Sequence, residues 1–551
     1  MLYSRIAIII TALNLFIISV GCSNITAIRS ENQPSTYQID TLVSGGPLHA
    51  IKGISFGPDG YLYVTSVYAE SIYRVDVKTG EVKVAVGPPH GESDDVAFAP
   101  EGTMAWTALP SGELRAQDPE GEPYVIANKL PLINPVGYTQ DGRLFVAQIG
   151  IDRFLEIDVN GNQPPKLVAE KIGHLNSFEI SDNDQLYGPL AGAGTVARID
   201  INTGEIYPIV KNLNTISAVN LNSQGQIFAV GWASGELLKI DPDTGEVRLI
   251  AELEAPLDNL AIDKNDMIYI SLPARGTIVK VDPSNGNQTE VIPGNMSVPG
   301  GLSITVQDGL ETLIIADDFG FRLVDTQSGR IWATTDLTEF MDPNAASDVA
   351  INDDVITFSD VSRSRVYMLD RASGKKIHKW RRFAKPYGVV MLESGDPIVA
   401  EFDTGKLIRL SRADRKLREI ITDGLDGPVD LAWANKNSLY LTEALSGQLT
   451  QININDGNKT LIASGLNQPE GLTVLQNGDI AVVEVGAQQV SIVNAQNGSK
   501  RVIAKNLPLG GSFPKAEGII SIPTGIVAGK DGALYLTSDQ DHSILKLTPK
   551  S

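Results

Sequence analysis

Cysteine is almost missing from this chain. Among 551 residues there is one, Cys22, together with only five histidines and 6% aromatic residues. One thiol excludes an internal disulfide, so stability has to come from packing. No stretch carries the periodicity of a long amphipathic helix. The Gly-x-Ser-x-Gly pattern occurs at Gly53-Ile-Ser-Phe-Gly57, but within a strand of the repeat with no helix after it to form a nucleophile elbow; there is no His/Cys set with zinc spacing and no phosphate-binding loop. Positive charge is scarce as well: 45 Lys and Arg stand against 66 Asp and Glu, a net charge of −21. A surface of that sign repels phosphate backbones and argues against nucleic acid as a partner.

What fills the chain is a phrase of roughly 40 residues, repeated twelve times. A clear copy runs Gly53-Ile-Ser-Phe-Gly-Pro-Asp-Gly-Tyr-Leu-Tyr-Val-Thr and then Ser71-Ile-Tyr-Arg-Val-Asp-Val-Lys-Thr-Gly-Glu. Runs of β-branched and aromatic residues read as strands, and the intervening Asp-Gly and Thr-Gly pairs as tight turns. Four short strands per unit define a β-propeller blade. The expected fold is therefore all-β, with twelve four-stranded blades. Two tandem six-bladed rings are the economical arrangement, with 5+7 or one large ring as alternatives. The chain ends on a third strand, Ile544-Leu-Lys-Leu-Thr. It begins with an orphan, Gln38-Ile-Asp-Thr-Leu-Val, that resembles a fourth strand. Pairing the two would complete a blade and remove an exposed edge.

The expected organisation is a signal peptide at 1–22, a tether at 23–36, a first propeller at 37–295 and a second at 296–551. Arg5 precedes an apolar run from Ile6 to Ile18, too short for an ordinary membrane span and suited to a secretory signal. Cys22 then stands where a bacterial lipoprotein carries its acylated cysteine, although Ser19 replaces the usual Leu three residues before it; small residues at Ser19 and Gly21 also suit conventional cleavage. This predicts an exported envelope protein whose only link to a membrane is a lipid anchor, at the outer membrane or cell surface. The longest insertion, Asn506 to Pro523, is rich in Gly and Pro and is a candidate cover for a channel mouth.

Alignment of the repeats on their first turn superposes the residues that open each innermost strand. In the first six repeats these are Lys52, Asp94, Asn134, Asn176, Ser217 and Asp258, followed one step further by Asp95 and Asn259. Two carboxylates and two amides converging on one axis are oxygen donors suited to a hard cation such as Ca²⁺. Asp94 and Asp258 would otherwise repel each other, unless Lys52 offsets their charge. His49, His90 and His174 fall just before this ring and are candidate proton carriers. Tyr68, Trp106 and Tyr187 are the aromatics nearest in sequence. A water-filled polar channel is the alternative.

The set Asp94, Asn134, Asn176 and Asp258 resembles the metal site of the family that joins senescence marker protein, gluconolactonases and paraoxonases. Ile133-Asn-Pro-Val-Gly-Tyr and Leu175-Asn-Ser-Phe are similar to its Asn-bearing strand starts. The resemblance implies six-bladed propellers, a Ca²⁺ or similar divalent ion held by those four side chains, and hydrolysis of a lactone or ester. Two departures stand out: Lys52-Gly53 replaces the family's opening Glu-Gly-Pro, and the acids sit one blade away from the expected blades. The repeats are equally similar to virginiamycin-lyase-like and NHL-type propellers, which implies a metal-assisted lyase or a binding scaffold as alternatives. The ligand is then a small molecule, glycan or peptide at a channel mouth.

In the second half the aligned positions read Gly300, Ser347, Tyr387, Val429, Glu470 and Thr524. Asp348, Asp430 and Glu470 are candidate ligands for a second cation. Asp360, Glu401, Glu443 and Glu484 recur at the ends of second strands and read as architecture, accepting backbone N–H bonds from a neighbouring loop. The eighth repeat gathers basic residues, among them Lys376, Arg381 and Arg382, which read either as a solubilising blade edge or as a dock for phosphate groups or an acidic partner.

Overall fold

In a computed structural model, the described residues are 36–307, 309–317, 320–336, 346–510 and 522–550. Cys22, the signal and tether segments and most of the Asn506–Pro523 insertion lie outside them. Residues 36–551 form one compact unit.

Twelve antiparallel four-stranded sheets make up this unit, each built from strands adjacent in sequence except the last. The repeat turns explain the regularity. Gly60 (φ 79°) and Gly80 (φ 76°) occupy the left-handed region that their turns require. Among the described residues the only helices are single 3₁₀ turns at Ala191–Ala193 and Val485–Ala487.

The innermost strand of blade one, Ile51–Phe56, packs against that of blade six, Leu260–Ile262, and closes a first ring. Likewise the innermost strand of blade seven, Leu302–Gln307, meets that of blade twelve, Ile526–Ala528, and closes a second. The protein is thus two six-bladed propellers. Blade twelve is completed by the N-terminal strand Tyr37–Val43, which pairs antiparallel with Ile544–Pro549, Ile39 opposite Leu547. This strand belongs to the second ring, so the strands of the first ring run from Ile51 to Ile292, not from residue 37.

Cores lie between blades. Ile51, Ile54 and Val64 of blade one, for example, pack with Ala261 and Ile278 of blade six. The rings are joined by further contacts. Ala50 and Tyr68 of the first belong to one apolar cluster with Val298, Val361, Tyr387, Phe402, Val429, Ala444 and Ile522. Asp317 accepts hydrogen bonds from the Ser297 and Val298 amides and an ion pair from Arg322 at 2.9 Å. The Arg322 guanidinium also donates to the Ala274 carbonyl in blade six.

Candidate functional site

The six residues that open the innermost strands of the first ring all line one cavity of about 310 Å³. Lys52, Asp94, Asn134, Asn176, Ser217 and Asp258 form most of its polar part, with Thr215 and Asn259 beside them. Leu109, Ile149, Ala191 and Trp232, the residues that follow the second strands of blades two to five, line it as well.

A belt of polar contacts runs from blade to blade beside this cavity. Gly53 N–H donates to the Asp94 carbonyl at 2.9 Å, and Val136 N–H to Asp95 Oδ2 at 3.2 Å. Asn134 Nδ2 reaches the Asn176 carbonyl at 3.5 Å, and Asn176 Nδ2 the Ser217 carbonyl at 2.8 Å. Ser217 Oγ donates to the Leu257 carbonyl at 2.6 Å, and Ser271 Oγ returns to the Lys52 carbonyl at 2.9 Å. The belt fixes both amides by their nitrogens. Asn134 Oδ1 is left buried with no hydrogen-bond partner, in a residue only 8% exposed. Such an acceptor costs free energy unless something fills it.

Asp94 and Asp258 enter the belt through their main chains, which leaves their carboxylates to the cavity. Burial raises both above the ordinary Asp range, and the Lys52 charge opposes the rise; Asp258 is pushed up to about 6. Lys52, the only cation among the lining residues, also sits 5.9 Å from the Trp232 ring centroid. Among the described residues no three His, Cys, Asp or Glu side chains gather in a metal-binding group. The oxygen set here is two carboxylates and two amides, and the unfilled Asn134 acceptor fits a cation.

None of the three candidate histidines lines this cavity. His49 turns toward the joint between the rings, where its ring lies 3.9 Å from that of His542. The His90 carbonyl accepts from Trp106 Nε1 and from Arg115. His174 comes nearest: its Nδ1 is 2.8 Å from the carbonyl of Ile149, a lining residue. The aromatics nearest in sequence are displaced too. Trp106 is fully buried, Tyr68 packs in the inter-ring cluster, and Tyr187 packs beside the core between blades four and five. The aromatic that reaches the cavity is Trp232, whose signal was its place directly after a second strand.

The second ring is built differently. Asp348 Oδ2 accepts from Val389 N–H at 2.7 Å, and Asp430 Oδ2 from Leu472 N–H at 2.8 Å. Glu470 Oε2 accepts from the amide and hydroxyl of Thr524 at 2.7 and 2.9 Å. These carboxylates tie each blade to the next, as Asp95 does in the first ring. They do not assemble into a metal cluster. Burial raises all three, Asp430 to about 7 and Glu470 to about 8, with the Asp430 charge adding to the rise at Asp348. The void that Asp348 and Asp430 border is about 10 Å³. Glu401, Glu443 and Glu484 accept from the amides of Ala384, Asp426 and Asn467, each 17 residues upstream. Asp360 caps the nearer Arg363 amide. Asp317, at the end of the second strand of blade seven, belongs to the same set and accepts from the Ser297 and Val298 amides.

No protein-family model matches the chain, and no curated protein matches it. Among solved structures it is similar to a streptogramin B lyase, at 15% identity and a TM-score of 0.30, covering 60% of this chain and 92% of that one. It is also similar to the extracellular domain BT4673 of B. thetaiotaomicron, at 12% identity and a TM-score of 0.33, covering 92% and 78%. Likeness at this level carries no argument, and the fold rests on the sheets and their closure. The class defined by the sheets and their closure is the β-propeller, in tandem. No described helix is long and apolar enough to cross a membrane.

Proposed function

We propose that the mouth of the first ring binds a small molecule and a divalent cation, and that the protein is an exported hydrolase of a lactone or ester. The observation that carries this reading is the buried, unpartnered Asn134 Oδ1 in a cavity it shares with Asp94 and Asp258. Asp94, Asn134, Asn176 and Asp258 would hold the ion, and hard oxygen donors favour Ca²⁺. A bound Ca²⁺ supplies Lewis acidity toward a carbonyl oxygen. The chain's own residues shape the rest. The blade-to-blade belt holds the amides in place. Leu109, Ile149 and Trp232 offer apolar surface to the body of a substrate. His174, beside the rim, is the remaining histidine candidate for carrying a proton between cavity and solvent.

The address belongs to the same proposal: export directed by residues 1–22 and attachment through a lipid on Cys22. A second reading, a binding lipoprotein without chemistry, draws support from Lys52. Its charge already offsets the two acids, so a cation is not obligatory there.

The test is a melting curve with Ca²⁺ and with chelator, joined to a screen of lactones and aryl esters. The hydrolase reading expects stabilisation by Ca²⁺ and turnover, both lost in Asp94→Ala and Asp258→Ala. Identical melting curves with and without chelator, and no turnover, would leave the binding reading.

A further inference from the structure

The strongest departure from the chain's acidic surface is a groove of about 840 Å³ at the outer edge of blades eight and nine. Among the described residues that line it, seven of ten are Lys or Arg and none is Asp or Glu. Lys376 and Arg381 come from the outermost strand of blade eight, Lys376–Arg381, and Arg382 follows it. Arg418 opens the outermost strand of blade nine, Arg418–Thr422, and Arg415 and Lys416 lie in the turn before it.

A blade edge kept soluble has no need of this arrangement. Outer strands elsewhere also carry local ion pairs, Lys83 with Glu81 and Arg153 with Glu170, both at 2.8 Å. Here cations converge on a concavity from two blades. They are also held in place. The Arg418 guanidinium lies over the Phe383 ring at 4.3 Å and donates to the Arg381 carbonyl, and the Lys379 ammonium lies over Tyr367 at 5.4 Å. Burial lowers the Arg418 pKa, with the Glu401 charge opposing that shift and the Arg382 charge adding to it. At the back of the groove His378 packs on Trp380, whose indole Nε1 is buried without a hydrogen-bond partner.

We propose that this groove binds a linear polyanion carrying closely spaced phosphate groups. A single phosphate needs two or three donors, whereas this site offers cations along two adjacent strands. Guanidinium forks match phosphate oxygens in pairs. Concavity favours a chain lying in the groove over a flat anionic membrane. With a net charge of −21, the rest of the molecule repels such a chain, which confines it to this edge.

The experiment uses the chain from residue 23 onward, with long-chain inorganic polyphosphate as the probe, beside orthophosphate and vesicles of anionic or zwitterionic phospholipid. The expected result is saturable polyphosphate binding that weakens steeply with added salt through counterion release, with orthophosphate a poor competitor. Arg382→Glu with Arg415→Glu and Lys416→Glu should weaken it by roughly tenfold or more, consistent with the loss of several phosphate contacts. The neutral set Arg382→Gln, Arg415→Gln and Lys416→Gln keeps the test informative should charge reversal impair folding, and should show a smaller loss and a shallower salt dependence. Absence of binding at low salt, undiminished binding by both variants, or preference for anionic vesicles over polyphosphate would each overturn the proposal.

Discussion

The imidazoles of His49 and His542 lie face to face across the joint between the two propellers, their centroids 3.9 Å apart and their planes inclined by 34°. His49 belongs to the loop entering blade one, and His542 to the turn before the last strand of blade twelve. Burial lowers both: His49 falls to about 4 despite the opposing charge of Asp541, and His542 is held down further by any charge on His49.

A depressed histidine pKa means that the folded state excludes the proton. The pair's contribution is fully present above the unfolded value of about 6.5 and is lost as pH falls through about 4. Melting temperature should therefore decline across that window. Buried acids titrate there too, so the readout is the difference between wild type and His49→Phe/His542→Phe. That difference should shrink on acidification as the wild type loses the pair's contribution; a constant offset from pH 7 to pH 4 would refute the assignment.

Gly301 faces Asp348 of the next blade so closely that a Cβ would stand 1.9 Å from Oδ1. The carboxylate cannot swing freely, because Oδ2 is bonded to Val389 N–H. Gly301→Ala should cost about 1–3 kcal/mol, the usual range for overpacking. Adding Asp348→Ala should recover part of that loss, which denaturant unfolding of the four-member cycle can measure. Strict additivity would show that the two positions do not touch.

Lys52 sits among the acids of the first cavity and lowers Asp94 and Asp258 against the effect of burial. Lys52→Met should therefore raise Asp258 beyond about 6, a shift read by NMR titration. On the proposed reading it should also strengthen Ca²⁺ binding by about tenfold or more, since removing a unit charge nearby is worth more than about 1.4 kcal/mol at an effective dielectric near 20. An unmoved Asp258 titration would mean that the ammonium does not act on this site.

Much of this was legible in the repeat. Its phase brought Lys52, Asp94, Asn134, Asn176, Ser217 and Asp258 to one cavity, because residues at one register of equivalent strands share one environment around a ring. The same logic, carried one residue further, misleads. Successive side chains on a strand point to opposite faces. Asp94 therefore addresses the cavity while Asp95 turns to the next blade, and Asp348 and Asp430 follow Asp95. Glu470 stands at the cavity phase, but its side chain reaches across to Thr524. The candidate histidines His49, His90 and His174 do not line the cavity because they lie in connecting loops, whose direction the repeat does not set. Trp232 lay one strand away from the aligned position. The closure of blade twelve was readable because a missing fourth strand and an orphan one demand each other.

That closure also orders the birth of the molecule. Tyr37–Val43 leaves the ribosome before the other described strands, yet its partner, Ile544–Pro549, leaves after them. The first ring has every strand it requires once residue 292 has emerged. The second cannot seal until Ile544–Pro549 has emerged, and until then the opening strand waits unpaired, a latch whose catch has not yet been made.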